Sequence, residues 1–220
     1  METLSLAGLQ YRISRMNDPR APLCLMLHGR SGDLSSMTIF NRCLPPIFNR
    51  IYVQAPLPDP DGGFSWWTAS DERSFADKAK PAAEALRDFL FQALRSHQLF
   101  PACQMAIGFS QGAAVLSYLA QKHPGLFDSL ALLSGFVVRL SPEENQRICG
   151  GRQKAKLFMA HGAGDDTIPV QRARDDVQHL RALGYEVAYL EENAGHKAGI
   201  EAIRALKIWI EGQVSRFAPT

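Results

Sequence analysis

The feature that most constrains the fold of this sequence is a regular alternation of short apolar runs with longer amphipathic segments. Most of the apolar runs are almost continuous, which is typical of strands that are buried on both faces of a sheet. They predict about seven strands, at residues 9–13, 22–27, 50–55, 104–109, 129–133, 156–160 and 186–190.

The segments between these runs carry apolar residues at helical spacing. The longest predicted helix extends from Asp71 to about Arg95, and Pro81 within it either ends one helix or begins the next. Strands that alternate with helices predict an α/β fold, in which a mostly parallel sheet has helices on both faces. In such sheets the functional loops follow the carboxyl ends of the strands. Further helices are predicted at residues 112–122, 170–183 and 199–214, with a shorter one at 37–48.

The length and charge of the chain limit the function classes. With 220 residues and no linker or internal repeat, we expect a single domain over residues 1–220. The net charge of +2 comes from residues spread along the sequence, so we expect no nucleic-acid partner. The first residues do not read as a signal peptide, and no apolar run approaches the roughly 20 residues of a membrane helix. We therefore expect a cytoplasmic protein without membrane insertion, with Cys24 and Cys103 in its core.

The strongest local signal is the G-x-S-x-G pentapeptide at residues 108–112. It follows a predicted strand and precedes a predicted helix, which is the setting of a sharp turn that exposes a nucleophilic serine. The two glycines leave room for neighbouring backbone, and the helix directs free amides toward developing negative charge. A serine could also occupy a glycine-rich junction by chance. The flanking strand and helix favour Ser110 as a nucleophile.

A serine hydroxyl needs a base that takes its proton, so the sequence should also supply a histidine. His196 lies in the sequence NAGHK, a turn between the last predicted strand and the last predicted helix. That turn is at the carboxyl edge of the sheet, where a base can reach Ser110. His28 and His161 also follow predicted strands, and we expect both to brace strand ends through hydrogen bonds. The other histidines lie in or near helix ends: His97, His123 and His179.

Two adjacent carboxylates, Asp165 and Asp166, are candidates for the group that orients the histidine. They lie in the sequence HGAGDDTIP, which follows the penultimate predicted strand. The chain order of Ser110, an aspartate and His196 is the order of α/β-hydrolases. Adjacent loop residues point in different directions, so at most one carboxylate faces His196, and spacing leaves both open. We expect the other to form a turn or cap the helix that follows.

Two backbone amides are needed for an oxyanion hole, the donor pair that stabilises the tetrahedral oxygen. One should belong to Gln111, the residue after the nucleophile. The second should come from the loop after the strand at 22–27, where the amide of Arg30 is the best candidate. We expect the Arg30 side chain to be solvated or to pair with Asp33.

Together these motifs resemble the phospholipase/carboxylesterase family, which includes acyl-protein thioesterases and small bacterial carboxylesterases. The resemblance extends from about residue 23 to about residue 209 and implies the α/β-hydrolase fold without a large lid domain. The motifs that carry it are Leu27-His28-Gly29, Ser65-Trp66, the pentapeptide at 108–112, His161-Gly162-x-x-Asp165 and Gly195-His196.

The resemblance also implies roles for individual residues. The family's acid lies in an H-G-x-x-D-x-x-[VI]-P loop, a pattern that selects Asp165 here, with Ile168 and Pro169 completing it. It implies hydrolysis of carboxylic esters or thioesters by a serine esterase, without a metal or organic cofactor. The sequence departs from the family where Arg30-Ser31-Gly32-Asp33 follows His-Gly, and where Lys197 follows the histidine. These departures concern the substrate more than the chemistry.

Aromatic residues follow two of the predicted strands at the same edge of the sheet. Phe64, Trp66, Trp67 and Phe136, with Ile168 of the acid loop, are predicted to bind substrate in an apolar cleft. For each aromatic residue the alternative is a core role that anchors its loop. A cleft without a lid favours short or medium acyl esters or aryl esters. An exposed cleft can also serve as a dimer surface, so the sequence leaves a homodimer open.

Other functions use the same constellation or the same scaffold. A lysophospholipase, a protein depalmitoylase, an acyltransferase or a hydrolase of lactones or amides would have the same three residues. A ligand-binding receptor on a hydrolase scaffold is the alternative from another class. The sequence has a residue of the required type at each of the three catalytic positions, Ser110, Asp165 and His196, which argues against the receptor.

Overall fold

Eight strands form one central sheet in the part of the chain that the computed structural model describes, residues 1–141, 143–144 and 154–214. These eight strands are β1 (Leu4–Leu6), β2 (Leu9–Ser14), β3 (Leu23–Leu27), β4 (Asn49–Val53), β7 (Gln104–Phe109), β8 (Ser129–Leu133), β9 (Lys156–Gly162) and β10 (Val187–Glu192). A separate two-stranded sheet consists of β5 (Leu57–Pro58) and β6 (Phe64–Ser65). The helices are the 3-10 helix η1 (Ser36–Cys43), α1 (Phe75–Ser96), α2 (Gln111–Lys122), α3 (Val170–Ala182) and α4 (Ile200–Val214).

The strand order across the sheet is β1-β2-β4-β3-β7-β8-β9-β10. All neighbours from β4 to β10 are parallel, whereas β1, β2 and β4 pair antiparallel. A mostly parallel sheet with helices is therefore confirmed, and each predicted strand is present. Strand β1, a three-residue edge strand, was not predicted from the sequence. It joins β2 through Ala7 and Gly8, which have φ of 50° and 78°, as a tight hairpin turn requires.

The sheet is buried on both faces, and β3 shows how its residues divide between them. Leu23, Leu25 and Leu27 belong to one apolar cluster, which also contains the buried apolar residues of α1 and α2 and part of those of α3. Cys24 and Met26 belong to a second cluster with η1 and α4. Successive strand residues point to opposite faces, so a continuous apolar run is needed to fill both clusters.

Helix α1 begins later than predicted and continues through its proline. Ser74 precedes it as an N-cap, and its hydroxyl accepts a hydrogen bond from the Asp77 amide at 3.2 Å. The predicted start at Asp71 is wrong because the Asp71 carboxylate pairs with Arg73 in the turn before the cap. Pro81 lies within the helix and neither ends nor begins it.

Most of the segment at residues 55–65 forms a small hairpin. Strands β5 and β6 pair antiparallel, and the Phe64 amide donates to the Gly32 carbonyl at 2.8 Å. The hairpin thus lies against the loop after β3. Gly108 of β7 pairs with Leu27 of β3 and Leu132 of β8, so the carboxyl ends of these strands meet at one edge. The functional loops follow that edge.

No helix in the described part of the chain combines the length and apolar character that crossing a bilayer requires.

Candidate active site

Ser110 lies at a sharp turn between β7 and α2, where its backbone is strained. Its φ is 51° and its ψ is −117°, outside the regions that L-residues ordinarily adopt. The Ser110 amide donates to the Leu133 carbonyl of β8 at 2.9 Å, which fixes the turn to the sheet edge. Strain of this kind concentrates at functional sites, where it aims a side chain. The predicted strand-turn-helix setting is present.

Both glycines of the pentapeptide are required by close backbone approaches. A Cβ on Gly108 would lie 2.6 Å from the Ala113 amide nitrogen, and one on Gly112 would lie 2.4 Å from the Leu27 carbonyl oxygen. Any side chain at either position would clash with these backbone atoms unless the backbone shifts. The glycines therefore bring β3, the turn and α2 close together.

The imidazole of His196 joins Ser110 to Asp165. Its Nε2 lies 3.0 Å from Ser110 Oγ, and its Nδ1 lies 2.8 Å from Asp165 Oδ2. An ionised carboxylate only accepts hydrogen bonds, so the contact with Asp165 places the proton on Nδ1. Nε2 then carries the lone pair that can take the serine proton. The structure brings together the three residues that the sequence analysis singled out.

The carboxylate of Asp165 is buried, and both of its oxygens accept hydrogen bonds. Its Oδ1 accepts from the amides of Thr167 at 2.9 Å and Ile168 at 2.8 Å. Burial by itself raises the pKa of Asp165, but the hydrogen bonds from Ile168, His196 and Thr167 outweigh it and leave the pKa below its usual value. The group is therefore ionised at neutral pH and can stabilise a protonated His196.

Asp166 faces solvent instead of the histidine. It is exposed, and its Oδ1 accepts from the hydroxyl of Thr167 at 3.4 Å. Adjacent loop residues do point in different directions here, as expected. The side chain that faces His196 is that of Asp165.

His161 has a contact that the sequence analysis did not anticipate. Its buried Nε2 lies 2.8 Å from the Ile168 carbonyl oxygen, in agreement with the predicted bracing role, and also 3.2 Å from Asp165 Oδ2. A proton on Nε2 is shared between these two acceptors. Since Asp165 Oδ2 also contacts His196, the two histidines together fix the orientation of the carboxylate.

Backbone contacts tie the loop of Asp165 to the loop of His196. The amide of Gly164 donates to the Ala194 carbonyl at 3.0 Å, and the amide of Ala163 donates to the Glu192 carbonyl at 2.8 Å. The buried carboxylate of Glu192 also accepts from the Gly199 amide at 2.6 Å, ahead of α4. These contacts hold His196 between the ends of β10 and α4.

Arg30 lies in the loop at residues 28–35, which connects β3 to η1 and is called the β3–η1 loop below. At its start, His28 is buried, with Nδ1 2.7 Å from the Gly29 carbonyl and Nε2 3.0 Å from the Ala55 amide. These partners require a proton on Nδ1 and a lone pair on Nε2, so the ring is neutral. Burial lowers the pKa of His28, in line with this neutral form. The predicted bracing role of His28 fits these contacts.

Gln111 contributes to the site with its backbone and its side chain. As the first residue of α2, directly after Ser110, it has a backbone amide without an acceptor within the helix. Its side-chain Oε1 accepts from the Trp66 amide at 3.0 Å, and its Nε2 donates to the Trp67 carbonyl at 3.2 Å. Gln111 therefore links the nucleophile turn to the segment after β6.

Arg30 and Asp33 do not pair, contrary to one of the two expectations for the Arg30 side chain. Its guanidinium binds Asp59, with Nε 3.1 Å from Oδ2, and also contacts Asp61. The Asp33 carboxylate instead accepts from the amides and hydroxyls of Ser35 and Ser36, which lowers the pKa of Asp33 to about 2. Asp33 lies three residues before the start of η1, so amides and hydroxyls of the next residues in the chain can donate to its carboxylate.

The predicted substrate-binding residues differ in exposure. Trp66 is only 3% exposed, and its indole N–H donates to the His28 carbonyl at 2.8 Å. Trp67 is buried as well, whereas Phe64, Phe136 and Ile168 are half-buried. The two tryptophans thus have the anchoring core role that was the alternative. Contact of any of these residues with substrate stays a prediction.

A buried carboxylate holds the loop that carries Phe136. Asp176 of α3 accepts from the Val137 amide at 2.7 Å and from Arg172 Nε at 3.1 Å, and it pairs with Arg139. Arg172 also donates to the Val137 carbonyl at 2.9 Å, and its guanidinium lies over the Phe136 ring. The Asp176 carboxylate of α3 therefore holds the loop after β8 in place.

Replacement of this charge should destabilise the fold. Asp176→Ala is expected to lower the free energy of unfolding by about 3 kcal/mol, because an amide and two guanidinium groups lose their acceptor. The neighbouring Asp175 is exposed and accepts from Gln171 at 2.8 Å, so Asp175→Ala should change it by less than about 0.5 kcal/mol. Urea denaturation of the two variants measures both values. An equal change in the two would contradict this role of Asp176.

A cavity of about 360 Å³ opens beside the β3–η1 loop. Apolar side chains line one side, among them Met37, Phe40 and Phe109, whose ring packs against the His196 ring. Arg30 and Lys197, the two departures noted in the sequence, line the cavity as well. The departures therefore meet at one place next to the candidate nucleophile.

Several groups that support the site carried no clear signal in the sequence. Asp59, Glu192 and Asp176 act through contacts with residues that are distant in the chain, and a single sequence contains no record of such partners. His161 could have been found from its position four residues before Asp165. In the described part of the chain, no group of three or more potential ligands could hold a metal ion.

The model of the phospholipase/carboxylesterase family matches residues 10–211. Lysophospholipase-like protein 1 of Mus musculus is 29% identical over 105 residues, which are 47% of this chain and 44% of that protein. A probable inactive carboxylesterase of Oryza sativa subsp. japonica is 26% identical over 105 residues, covering 47% of this chain and 42% of that protein. The matches span less than half the length of these curated relatives.

Solved structures with the same fold cover nearly the whole chain. The crystal structure of a carboxylesterase from Mesorhizobium loti has a TM-score of 0.80 and 23% sequence identity, covering 96% of this chain and 98% of that chain. At this identity the likeness shows the fold, which is that of an α/β hydrolase, and the residues that the structure describes contain no large lid.

Proposed function

This chain belongs to the phospholipase/carboxylesterase family, and from that premise we propose that it is a serine hydrolase of carboxylic esters or thioesters. The observation that carries the proposal is the uninterrupted contact from Asp165 through His196 to Ser110, at 2.8 and 3.0 Å. The backbone of Ser110 supports it further, because a ψ of −117° at positive φ lies outside even the left-handed region and belongs to a sharp turn between a strand and a helix.

Acylation is the proposed first step. His196 Nε2 takes the hydroxyl proton of Ser110 while Oγ attacks the carbonyl carbon of the substrate. The carbonyl oxygen becomes negatively charged, and the amides of Arg30 and Gln111 are the proposed donors to it. The protonated His196, stabilised by ionised Asp165, then gives its proton to the departing alcohol or thiol. The acyl group stays on Ser110 as an ester.

Hydrolysis of this ester completes the cycle. A water molecule gives a proton to His196 as its oxygen attacks the acyl carbon, and the same two amides stabilise the second oxyanion. His196 then returns the proton to the Ser110 oxygen, and the carboxylic acid leaves. The residues named here supply every proton transfer in this sequence of steps.

The cavity beside the β3–η1 loop supports short and medium acyl or aryl esters as substrates. Each methylene that leaves water contributes about 0.8 kcal/mol, which is about fourfold in kcat/KM when the binding is realised in the transition state. This gain should stop once the chain extends beyond a cavity of about 360 Å³. For p-nitrophenyl esters from acetate to palmitate, we expect kcat/KM to rise over the first members and then level off. Initial rates below micelle-forming concentrations measure the series.

The same series tests the alternatives of a lysophospholipase or protein depalmitoylase. For either, kcat/KM would continue to rise through the palmitate ester. Such a result would contradict the preference for short and medium chains and would leave the serine chemistry intact. An acyltransferase would be recognised by product analysis, because an added alcohol would take the acyl group in preference to water.

A ligand-binding receptor is the alternative from another class. It has some support from the relative named as a probable inactive carboxylesterase. Against it, a receptor has no need of a histidine within hydrogen-bond distance of both Ser110 and a buried carboxylate. The absence of any turnover together with tight ligand binding would favour the receptor.

A further inference from the structure

The β3–η1 loop contains a strained position directly after Arg30. The φ of Ser31 is 58°, in the left-handed region that residues with a side chain rarely adopt. A non-glycine residue keeps such a conformation only where surrounding contacts over-determine it. The position of the Arg30 amide therefore depends on what holds Ser31 and the Arg30 side chain.

One buried carboxylate, that of Asp59, reaches both residues. Its Oδ2 accepts from Arg30 Nε at 3.1 Å and from the Ser65 hydroxyl at 2.5 Å. Ser65 Oγ in turn accepts from the Ser31 amide at 3.3 Å. The Asp59 carboxylate thus holds the side chain of one loop residue directly and the backbone of the next through a single hydroxyl.

The Asp59 carboxylate is both buried and ionised. The Asp59 side chain is 1% exposed. The Ser65 hydroxyl, the Arg30 guanidinium and the Asp61 amide hold the pKa of Asp59 far below its usual range. Asp61 contacts the same guanidinium but is 69% exposed, so water competes with it. Both carboxylates therefore bind the Arg30 guanidinium, but only Asp59 is buried and also accepts from the Ser65 hydroxyl.

The other contacts of the loop hold different residues. The Phe64 amide donates to the Gly32 carbonyl at 2.8 Å, and the Gly32 amide donates to the Gly29 carbonyl at 3.3 Å. These bonds fix the loop on either side of Arg30 and Ser31. The two central residues are held from the hairpin by Asp59.

We propose that Asp59 is a positioning residue for the oxyanion hole, holding the Arg30 amide in the place where it meets the developing negative charge. The inference rests on the proposed function, in which Arg30 and Gln111 supply the two amides. Asp59 does not touch the reacting atoms. It acts through Arg30 and through the Ser65–Ser31 contact.

This role has a kinetic signature that differs from that of a merely structural residue. The oxyanion exists only in the transition state and the tetrahedral intermediate, so a misplaced amide should lower kcat and leave KM nearly unchanged. Removal of one oxyanion donor lowers kcat by roughly 100- to 1,000-fold in other serine hydrolases. Displacement without removal should have a smaller effect, about 10- to 100-fold.

The experiment compares Asp59→Asn with Asp61→Asn as a matched control. Both substitutions remove a negative charge beside Arg30, but only the first changes a buried group. Both oxygens of Asp59 accept hydrogen bonds, and an asparagine side chain would place an NH2 donor at one of these two positions. For each, kcat and KM for a short p-nitrophenyl ester are measured with the inhibition constant of an arylboronic acid. Boron takes up the Ser110 oxygen and becomes a tetrahedral anion, which needs the same amides. We expect Asp59→Asn to lower kcat and boronate affinity together, and Asp61→Asn to change each by less than about threefold.

Different results would contradict the role of Asp59 and the proposed hydrolase function. If Asp59→Asn keeps kcat and boronate affinity within about twofold of the wild type, Asp59 does not position the amide. If Asp59→Asn does not fold, Ser65→Ala decides the matter: it removes only the hydroxyl between Asp59 and Ser31. It should lower kcat at least fivefold at constant KM, and an unchanged kcat would overturn the proposal. A wild-type protein without any turnover would instead contradict the proposed function.

Discussion

Ser110→Ala is expected to fold normally and to lose nearly all esterase activity, with kcat lower by up to about a millionfold. The reason is that the acyl group would have no oxygen to which it can transfer. Only background stabilisation by the site would remain. The measurement is hydrolysis of a p-nitrophenyl ester at high protein concentration, combined with a thermal denaturation curve. Undiminished turnover in this variant would refute Ser110 as the nucleophile.

Ser134 provides a matched control for this experiment. It is buried at the end of the neighbouring strand β8, has φ of 44°, and its hydroxyl has no hydrogen-bond partner among the described residues. Ser134→Ala should therefore keep activity within about threefold of the wild type. A fluorophosphonate, which phosphorylates a nucleophilic serine with loss of fluoride, should label the wild type and Ser134→Ala. Labelling of Ser110→Ala to the same extent would contradict the assignment.

Asp165→Asn is expected to lower kcat by about 10⁴-fold, as in other serine hydrolases where this carboxylate becomes an amide. The amide nitrogen can donate to His196 Nδ1, which would move the imidazole proton to Nε2. In that tautomer the ring cannot accept the Ser110 proton. Near-isosteric replacement keeps the loop geometry, so KM should change little. Steady-state kinetics over a long time course measures the residual rate.

Asp166→Asn is the control at the adjacent position. Its side chain is exposed and does not face His196, so kcat should stay within about threefold of the wild type. The comparison tests the choice between the two carboxylates directly. A large loss of activity in Asp166→Asn and a small one in Asp165→Asn would reverse the assignment.

The strands were predictable because their burial leaves a local record. A strand covered on both faces must be apolar at successive positions, as β3 is from Leu23 to Leu27. Strand β1 lacks such a record because it is short, lies at the edge and is partly exposed. The start of α1 was misplaced for a related reason. Ser74 and Asp71 are both acceptable caps by residue type, and only the pairing of Asp71 with Arg73 removes it from that role.

The candidate nucleophile was predictable because its geometry requires particular residues in sequence. The turn at Ser110 needs small residues two positions before and after it, and close backbone contacts at Gly108 and Gly112 are the cause. The turn between the last strand and the last helix, at the carboxyl edge of the sheet, then selected His196 as the base, but spacing alone left two candidate aspartates. Resemblance to a family chose Asp165, and the hydrogen bond to His196 at 2.8 Å agrees with that choice.

The sequence by itself thus determined the mostly parallel sheet, the glycine-flanked turn of Ser110, and the two loops that carry the candidate histidine and the two candidate aspartates. Each depends on local spacing or on runs of one residue type, which a single chain records. Only the tertiary structure decided that Arg30 binds Asp59 and not Asp33, and that Trp66 is buried behind the β3–η1 loop. It also decided that Asp176 holds the loop of Phe136. These contacts join segments that are distant in the chain, and their energies depend on burial and direction, which exist only once the chain has folded.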